Sequence, residues 1–228
     1  MNKNIDSWIE SNRDFIINLR EWLHQHPEIG FQEHKTSAHL KSILKEKGYS
    51  IVQNKDMETG FYCDYGEGGP ILALRTDMDA LEVLEENHDK NYRSKHEGVM
   101  HACGHDVHMA ILTSLAVFLK DSNSPLNGTV RFIFQPAEEQ APGGAISMIK
   151  GGAIDRVESI IGSHVLPKLE AGKLAVKYGP IAATVELIDI VLEGAGGHTS
   201  RPNESVDLVW AQSQLVNLLE QSINHNID

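Results

Sequence analysis

Thr129-Val130-Arg131-Phe132-Ile133-Phe134-Gln135-Pro136-Ala137-Glu138-Glu139 is the stretch on which the fold turns. Its first six residues are mainly β-branched and aromatic and predict a strand buried inside a sheet. A proline and two adjacent carboxylates follow at its C-terminal end, the place where open α/β sheets build their sites. On either side the hydrophobic period changes to a helical one. Met109–Leu119 precedes the strand, and a helix near Ala145–Ile149 leads to a further strand at Ser159–Val165. Alternation of this kind predicts an α/β domain with a largely covered sheet.

Further upstream, strand-like runs at Phe61–Tyr65 and Ile71–Arg75 flank Gly66-Glu67-Gly68-Gly69-Pro70. The glycine cluster lacks the Gly-Lys-Ser/Thr ending of a phosphate loop and has no helix after it, so it is read as a hairpin turn. Ile5, Trp8, Ile9, Ile16, Leu19 and Leu23 recur at helical spacing until Pro27, and a second amphipathic helix through Leu40, Ile43 and Leu44 ends at Gly48. After Gly179-Pro180 the texture shifts to one long strand over Thr184–Leu192, the Gly194–Pro202 loop, and a helix through Val206, Val209, Leu215, Val216 and Leu219. A domain boundary is expected there, with residues 1–180 in one domain and 181–228 beginning another.

The chain has 228 residues, with 20 Lys+Arg against 32 Asp+Glu and a net charge of −12. With 41% hydrophobic and 23% charged residues it has the composition of a globular protein, not a disordered one. The acidic balance disfavours nucleic acid and anionic membrane as partners, because both call for a basic face. No signal-peptide h-region opens the chain and no run approaches a membrane span. Two cysteines make no disulfide scaffold, and a cytoplasmic protein with reduced thiols is expected. The 12 histidines are the more informative number, since histidine is the commonest metal ligand.

Histidines are densest in Met100-His101-Ala102-Cys103-Gly104-His105-Asp106-Val107-His108, just ahead of the apolar helix. Cys103 and His105 straddle a glycine and can reach one divalent ion, while the helix dipole is expected to lower the Cys103 pKa. Asp106 is placed to orient a ligand imidazole. The plainer alternative is a polar helix N-terminus with Cys103 as a small buried hydrophobe. Of the adjacent pair, Glu138 and Glu139 point apart, so one can bind metal while the other handles a proton. His164, at the end of the last strand of this domain, offers a further nitrogen. Asp77 can orient a ligand, and Arg75 can neutralise carboxylates near it.

Five segments occur in order: His24-Gln25-His26-Pro27-Glu28, Arg75-Thr76-Asp77-Met78-Asp79-Ala80-Leu81, His101-Ala102-Cys103-Gly104-His105-Asp106, Gln135-Pro136-Ala137-Glu138-Glu139 and Gly196-Gly197-His198-Thr199-Ser200. Together they resemble the M20 metallopeptidase/amidohydrolase family, in the branch of N-acyl-amino-acid amidohydrolases, hippurate hydrolases and N-acetyldiaminopimelate deacetylases. The resemblance implies a zinc-peptidase-like catalytic domain with a mixed, mostly covered sheet, followed by the start of an α+β, ferredoxin-like lid. It implies two divalent metal ions (Zn, Mn, Co or Ni), with Cys103 bridging them and His105, Glu139 and His164 as further ligands. Glu138 would be the general base toward metal-activated water, Asp77 the acidic support of the centre, and Arg75 would stand where other branches carry a ligand histidine. His198 would be a lid residue that stabilises the oxyanion, in dimeric relatives across the subunit boundary.

The implied activity is hydrolysis of the amide bond of N-acyl amino acids or short peptides, by a homodimer formed through the lid. Two departures stand out. Pro202-Asn203 replaces a frequent Pro-His, which bears on a substrate carboxylate contact. The resemblance also places the rest of the lid sheet and a last metal-binding histidine beyond Asp228. Two other readings compete: a truncated member that binds metal with little or no activity, and a thiol hydrolase with Cys103 as nucleophile.

Overall fold

The computed structural model describes residues 5–87, 89–181 and 188–226. Contacts between Cα atoms divide the chain into two units, Met1–Ala175 and Val176–Asp228. In the first unit, the stripe expected as a single N-terminal helix is two helices, α1 (Ile5–Ser11) and α2 (Arg13–Gln25). The break falls at Asn12, whose side-chain amide donates to the Trp8 carbonyl at 2.8 Å. Asparagine competes in this way with helix propagation. Helix α3 (His34–Glu46) stops just ahead of Gly48, whose φ of +80° takes the left-handed turn that closes a helix.

Five strands form one mixed sheet: β1 (Ile51–Val52), β2 (Phe61–Gly66), β3 (Ile71–Asp77), β4 (Thr129–Gln135) and β5 (Val157–Gly162), in the order β1-β2-β4-β3-β5. This order corrects the hairpin reading of Gly66–Pro70, because β4 lies between β2 and β3. Strand β4 runs antiparallel to β2 and parallel to β3. The glycines serve close backbone approach instead of a tight turn. A Cβ on Gly66 would collide with the Gly128 carbonyl, and one on Gly69 would come within 2.9 Å of the Gly128 Cα. Their absence lets β4 enter the gap, where Thr129 N donates to the Pro70 carbonyl at 2.9 Å.

Alternation along β4 feeds two cores. Phe132 and Phe134 pack with Phe61, Cys63 and the apolar residues of α2, α3 and α4 (His105–Ser122) on one face. Ile133 packs with Ala73, Met57 and Met148 of α5 (Ala145–Lys150) on the other. The crossover from β3 to β4 therefore carries its helix on one face, and the passage from β4 to β5 carries its helix on the opposite face. The chain thus leaves β3 in one direction and returns to its other side, the arrangement that opens a crevice at the carboxyl ends of parallel strands. Asp77 is in register with Gln135, and Arg75 with Gly162, so β3, β4 and β5 deliver their following loops to one edge of the sheet. Strand β5 ends at Gly162, short of the expected Val165, and its Ile160 and Ile161 are exposed. His164 therefore belongs to the segment leaving the sheet.

In the second unit, a single 3-10 turn, Pro202–Glu204, precedes α6 (Leu208–Asn226). Asp207 caps this helix by accepting from Trp210 N at 2.9 Å. Of the strand expected over Thr184–Leu192, residues 184–187 lie outside the described residues. Residues 188–192 carry no strand. A strand is stable only when its backbone groups find a neighbour. Among the described residues, no helix is long and apolar enough to cross a membrane.

Candidate metal centre

Asp77 closes β3, and Met78, buried in the core, separates it from Asp79. Helix α4 starts at the same sheet edge, with His105 and His108 one turn apart on one face. Gly104 precedes the helix at φ +85°, and a Cβ there would collide with Val165 Cγ2. The missing side chain lets the segment after β5 lie against the helix N-terminus, which brings His164 to Cys103 with Nε2 3.2 Å from Sγ.

The hydrogen bonds fix the roles of three imidazoles. His108 donates from Nδ1 to Asp77 Oδ1 at 2.8 Å and accepts from Val165 N at Nε2 at 3.0 Å. Both nitrogens are committed, so His108 is a brace between β3 and the His164 segment. His164 donates from Nδ1 to the Val165 carbonyl at 2.7 Å, which leaves Nε2 toward Cys103. His105 donates from Nδ1 to the Asp79 carbonyl at 2.8 Å, which leaves its Nε2 buried and without a hydrogen-bond partner. Asp77 Oδ2 lies 3.7 Å from that nitrogen, Glu139 Oε1 3.7 Å and Glu138 Oε2 3.9 Å.

The acidic pair is held by its backbone. Ala137 takes a φ of +45°, donates from N to Glu33 Oε1 at 2.8 Å, and accepts at its carbonyl from Gly144 N at 2.8 Å. Glu139 N donates to Asp79 Oδ2 at 2.9 Å, so Asp79 ties His105 and Glu139 together. Asp77 accepts a second bond at Oδ2 from Arg75 Nη1, 2.8 Å away.

The charges respond to this crowding. Burial works against ionisation of Asp77, but the His108 hydrogen bond and the nearby His105 and Arg75 hold its pKa at about 2. Burial and then the neighbouring Glu139 raise the pKa of Glu138, against the pull of His105 and Arg75. Burial, the Glu139 hydrogen bond and the surrounding carboxylates push the Cys103 thiol up to about 12. The direction is opposite to the lowering expected from the helix end, with burial and then the nearby acids as its causes. Asp106 is also corrected: it orients no ligand imidazole but pairs with Arg20 Nε and His24 Nδ1, each at 2.8 Å.

The expected donors of the first unit therefore meet in one place. Cys103, His105 and His164 form one group whose candidate ligand atoms lie within 4.8 Å of one another; His105, Glu138 and Glu139 form a second, and Asp77, His105 and His108 a third. His105 is common to all three. An orphaned imidazole nitrogen facing three carboxylates, beside a thiol that needs a positive charge to ionise, suits a borderline divalent cation. His198 lies in the second unit, exposed, with Nδ1 accepting from Ser200 N at 3.2 Å. Sequence reasoning gave no role to Asp79, His108 or Glu33. The Asp77-Met78-Asp79 spacing and the third histidine of the cluster were the available signals for the first two. For Glu33, the sequence carries none.

A model of peptidase family M20/M25/M40 matches residues 73–226. N-acetylcysteine deacetylase of Bacillus subtilis (strain 168) is 40% identical over 214 residues, 93% of this chain and 56% of that protein. N-acyl-L-amino acid amidohydrolase of Geobacillus stearothermophilus is 37% identical over 214 residues, 93% of this chain and 58% of that protein. The chain thus spans little more than half the length of these curated relatives. Among solved structures, the Bacillus subtilis YXEP protein, described as a dinuclear metal binding peptidase from the M20 family, superposes with a TM-score of 0.71 at 40% identity. That match covers 75% of this chain and 48% of the other.

Proposed function

The chain belongs to peptidase family M20/M25/M40, and on that footing we propose that it provides the dinuclear metal centre of an amidohydrolase acting on N-acyl amino acids or short peptides. The observation that carries the reading is the buried, unpartnered Nε2 of His105, ringed by Asp77, Glu138 and Glu139. Cys103, His105, Glu139 and His164 would hold the ions, which are Zn, Mn, Co or Ni; the mixed sulfur, nitrogen and oxygen donors suit zinc and do not exclude the others. When bound, the ions supply Lewis-acid activation of water and of the scissile carbonyl.

The chain's own groups do the rest. Glu138 carries the proton: its carboxylate, whose pKa is raised by burial and by Glu139, takes one from water and returns it to the leaving nitrogen. Asp77, anchored by Arg75 and His108, stays anionic and keeps a fixed negative charge facing His105 Nε2. Asp79 fixes the His105 tautomer through its carbonyl and the Glu139 backbone through its carboxylate. His198 serves the oxyanion as a donor, since acceptance at Nδ1 leaves the proton on Nε2. In this reading residues 1–180 are the catalytic domain, residues 181–228 open a lid that forms a homodimer, and the reduced thiol ligand supports a cytoplasmic setting. Cys103 is no independent nucleophile, because a thiol pushed up to about 12 is almost wholly protonated at neutral pH.

The test follows hydrolysis of N-acetyl and N-benzoyl amino acids by the chain stripped with chelator and then reloaded with Zn or Mn. Activity is expected to return with metal, and Glu138→Gln to lower kcat by roughly 10²–10⁴-fold while metal stoichiometry stays at two. Chelator-resistant activity, or an unimpaired E138Q, would overturn the reading. Two bound ions with no turnover would favour the inactive metal-binding alternative.

A further inference from the structure

The start of α3 contains a diversion. Glu33 occupies the N-cap position of that helix, yet its side chain caps nothing. Glu28 does the capping from outside, accepting from Lys35 N at 3.1 Å and Thr36 N at 2.8 Å. Glu33 instead turns inward and is fully buried. One oxygen accepts from the Thr59 hydroxyl, and the other from Ala137 N at 2.8 Å, a partner 104 residues along the chain. Thr59 is itself fixed, its carbonyl accepting from Ser37 Oγ at 2.6 Å.

A fully buried carboxylate is costly to retain, and one spent on a loop amide needs a reason. The loop in question is Gln135–Gln140. Its Ala137 holds a left-handed φ of +45°, a conformation that strains an L residue. Its carbonyl is held by Gly144 N, and its N–H is held by Glu33 alone among the described side chains. The residues that depend on it are the next two, Glu138 and Glu139. The far side of the pair is pinned in the same manner, Asp79 Oδ2 taking Glu139 N. The acidic pair therefore hangs between two buried carboxylates, one from the end of β3 and one from the start of α3.

We propose that Glu33 is a positioning residue of the metal centre: by holding Ala137 N it sets the turn that presents Glu139 to the metal and Glu138 to the substrate. The inference rests on the reading of Glu139 as a metal ligand, and its test separates the two. Co²⁺ is titrated into the metal-free chain and followed by its visible absorption, with circular dichroism confirming that each variant is folded. Glu33→Ala is expected to bind Co²⁺ at least about tenfold more weakly, the scale for removing a group that orients a ligand. Glu33→Gln keeps an oxygen for Ala137 N and is expected to stay within about threefold of the parent, because only the hydrogen bond is needed. A folded E33A with parental affinity and spectrum would sink the proposal. Should E33A not fold, Glu33→Asp makes the same test, since it keeps the charge but draws the acceptor back by a methylene; parental binding by E33D is equally fatal. Glu139→Ala is the control for the underlying reading. If E139A binds Co²⁺ like the parent, the ligand assignment has failed, whatever Glu33 does.

Discussion

Gly104→Ala tests whether the first turn of α4 and the segment after β5 build the centre jointly. Two costs follow from the geometry. At φ +85° an L side chain is strained by about 1–2 kcal/mol. The new Cβ also collides with Val165 Cγ2, and relieving an overlap of that kind costs about 1–3 kcal/mol. The sum is roughly 2–5 kcal/mol, which lowers the melting temperature of a unit this size by roughly 4–20 °C. The collision falls on the residue whose N–H is held by His108 and whose neighbour His164 faces Cys103. Co²⁺ affinity should therefore fall together with stability. Adding Val165→Ala removes the overlap but not the backbone strain, so G104A/V165A should recover the steric part and remain about 1–2 kcal/mol below V165A alone. Thermal unfolding of the metal-free proteins, with a Co²⁺ titration below the transition, reads both effects. G104A melting within a degree or two of the parent would refute the account of why this position is glycine.

In metal-free protein Cys103 should react with iodoacetamide on the order of a thousandfold more slowly at pH 7 than an ordinary thiol, because its pKa is pushed up to about 12. Rapid alkylation at Cys103, located by mass spectrometry, would revive the thiol-nucleophile reading. For His24, burial opposes the imidazolium, but hydrogen bonds to Asp106 and Glu85 raise its pKa above 6.5. A raised pKa gives stability that is complete below pH 6.5 and lost as pH climbs through the folded value. Melting curves of chelated protein from about pH 5.5 to about pH 9 should show the parent falling toward His24→Gln at the alkaline end, and parallel curves would contradict the charge assignment.

The candidate ligands were legible in the sequence and their supports were not, for a physical reason. Glu138-Glu139 or His164 alone has a bland use, but beside the Cys103/His105 cluster at the ends of strands their combination points to chemistry. Glu33 reads in sequence as one more acid in a polar stretch, and only the fold shows that it is buried against Ala137. The hairpin misreading has a similar root. Gly66 and Gly69 look alike whether they turn a hairpin or make room for another strand, and only Gly128, far along the chain, decides between them. Asp106 departs from expectation because its sequence neighbour is a candidate ligand, whereas on α4 adjacent residues point apart, sending Asp106 to Arg20 and His24.

The distribution of protons explains why a site so acidic is built beside so few cations. Asp77, Asp79, Glu138 and Glu139 converge on His105, with Arg75 and His108 spent on Asp77. Burial first, and then the neighbouring acids, raise the pKa of Glu138 and keep the proton on the Cys103 thiol. Asp77 and Asp79, with hydrogen bonds aimed at them, stay ionised. A divalent cation held at His105 Nε2 would offset the repulsion and favour the ionised thiol, so relief of that repulsion would add to the affinity for the ion. Glu138 is the more exposed of the adjacent acids, 42% against 22%, which fits its proposed role as the group that exchanges a proton with substrate. The division of labour proposed for the two neighbouring glutamates thus follows from how deeply each is held and by what.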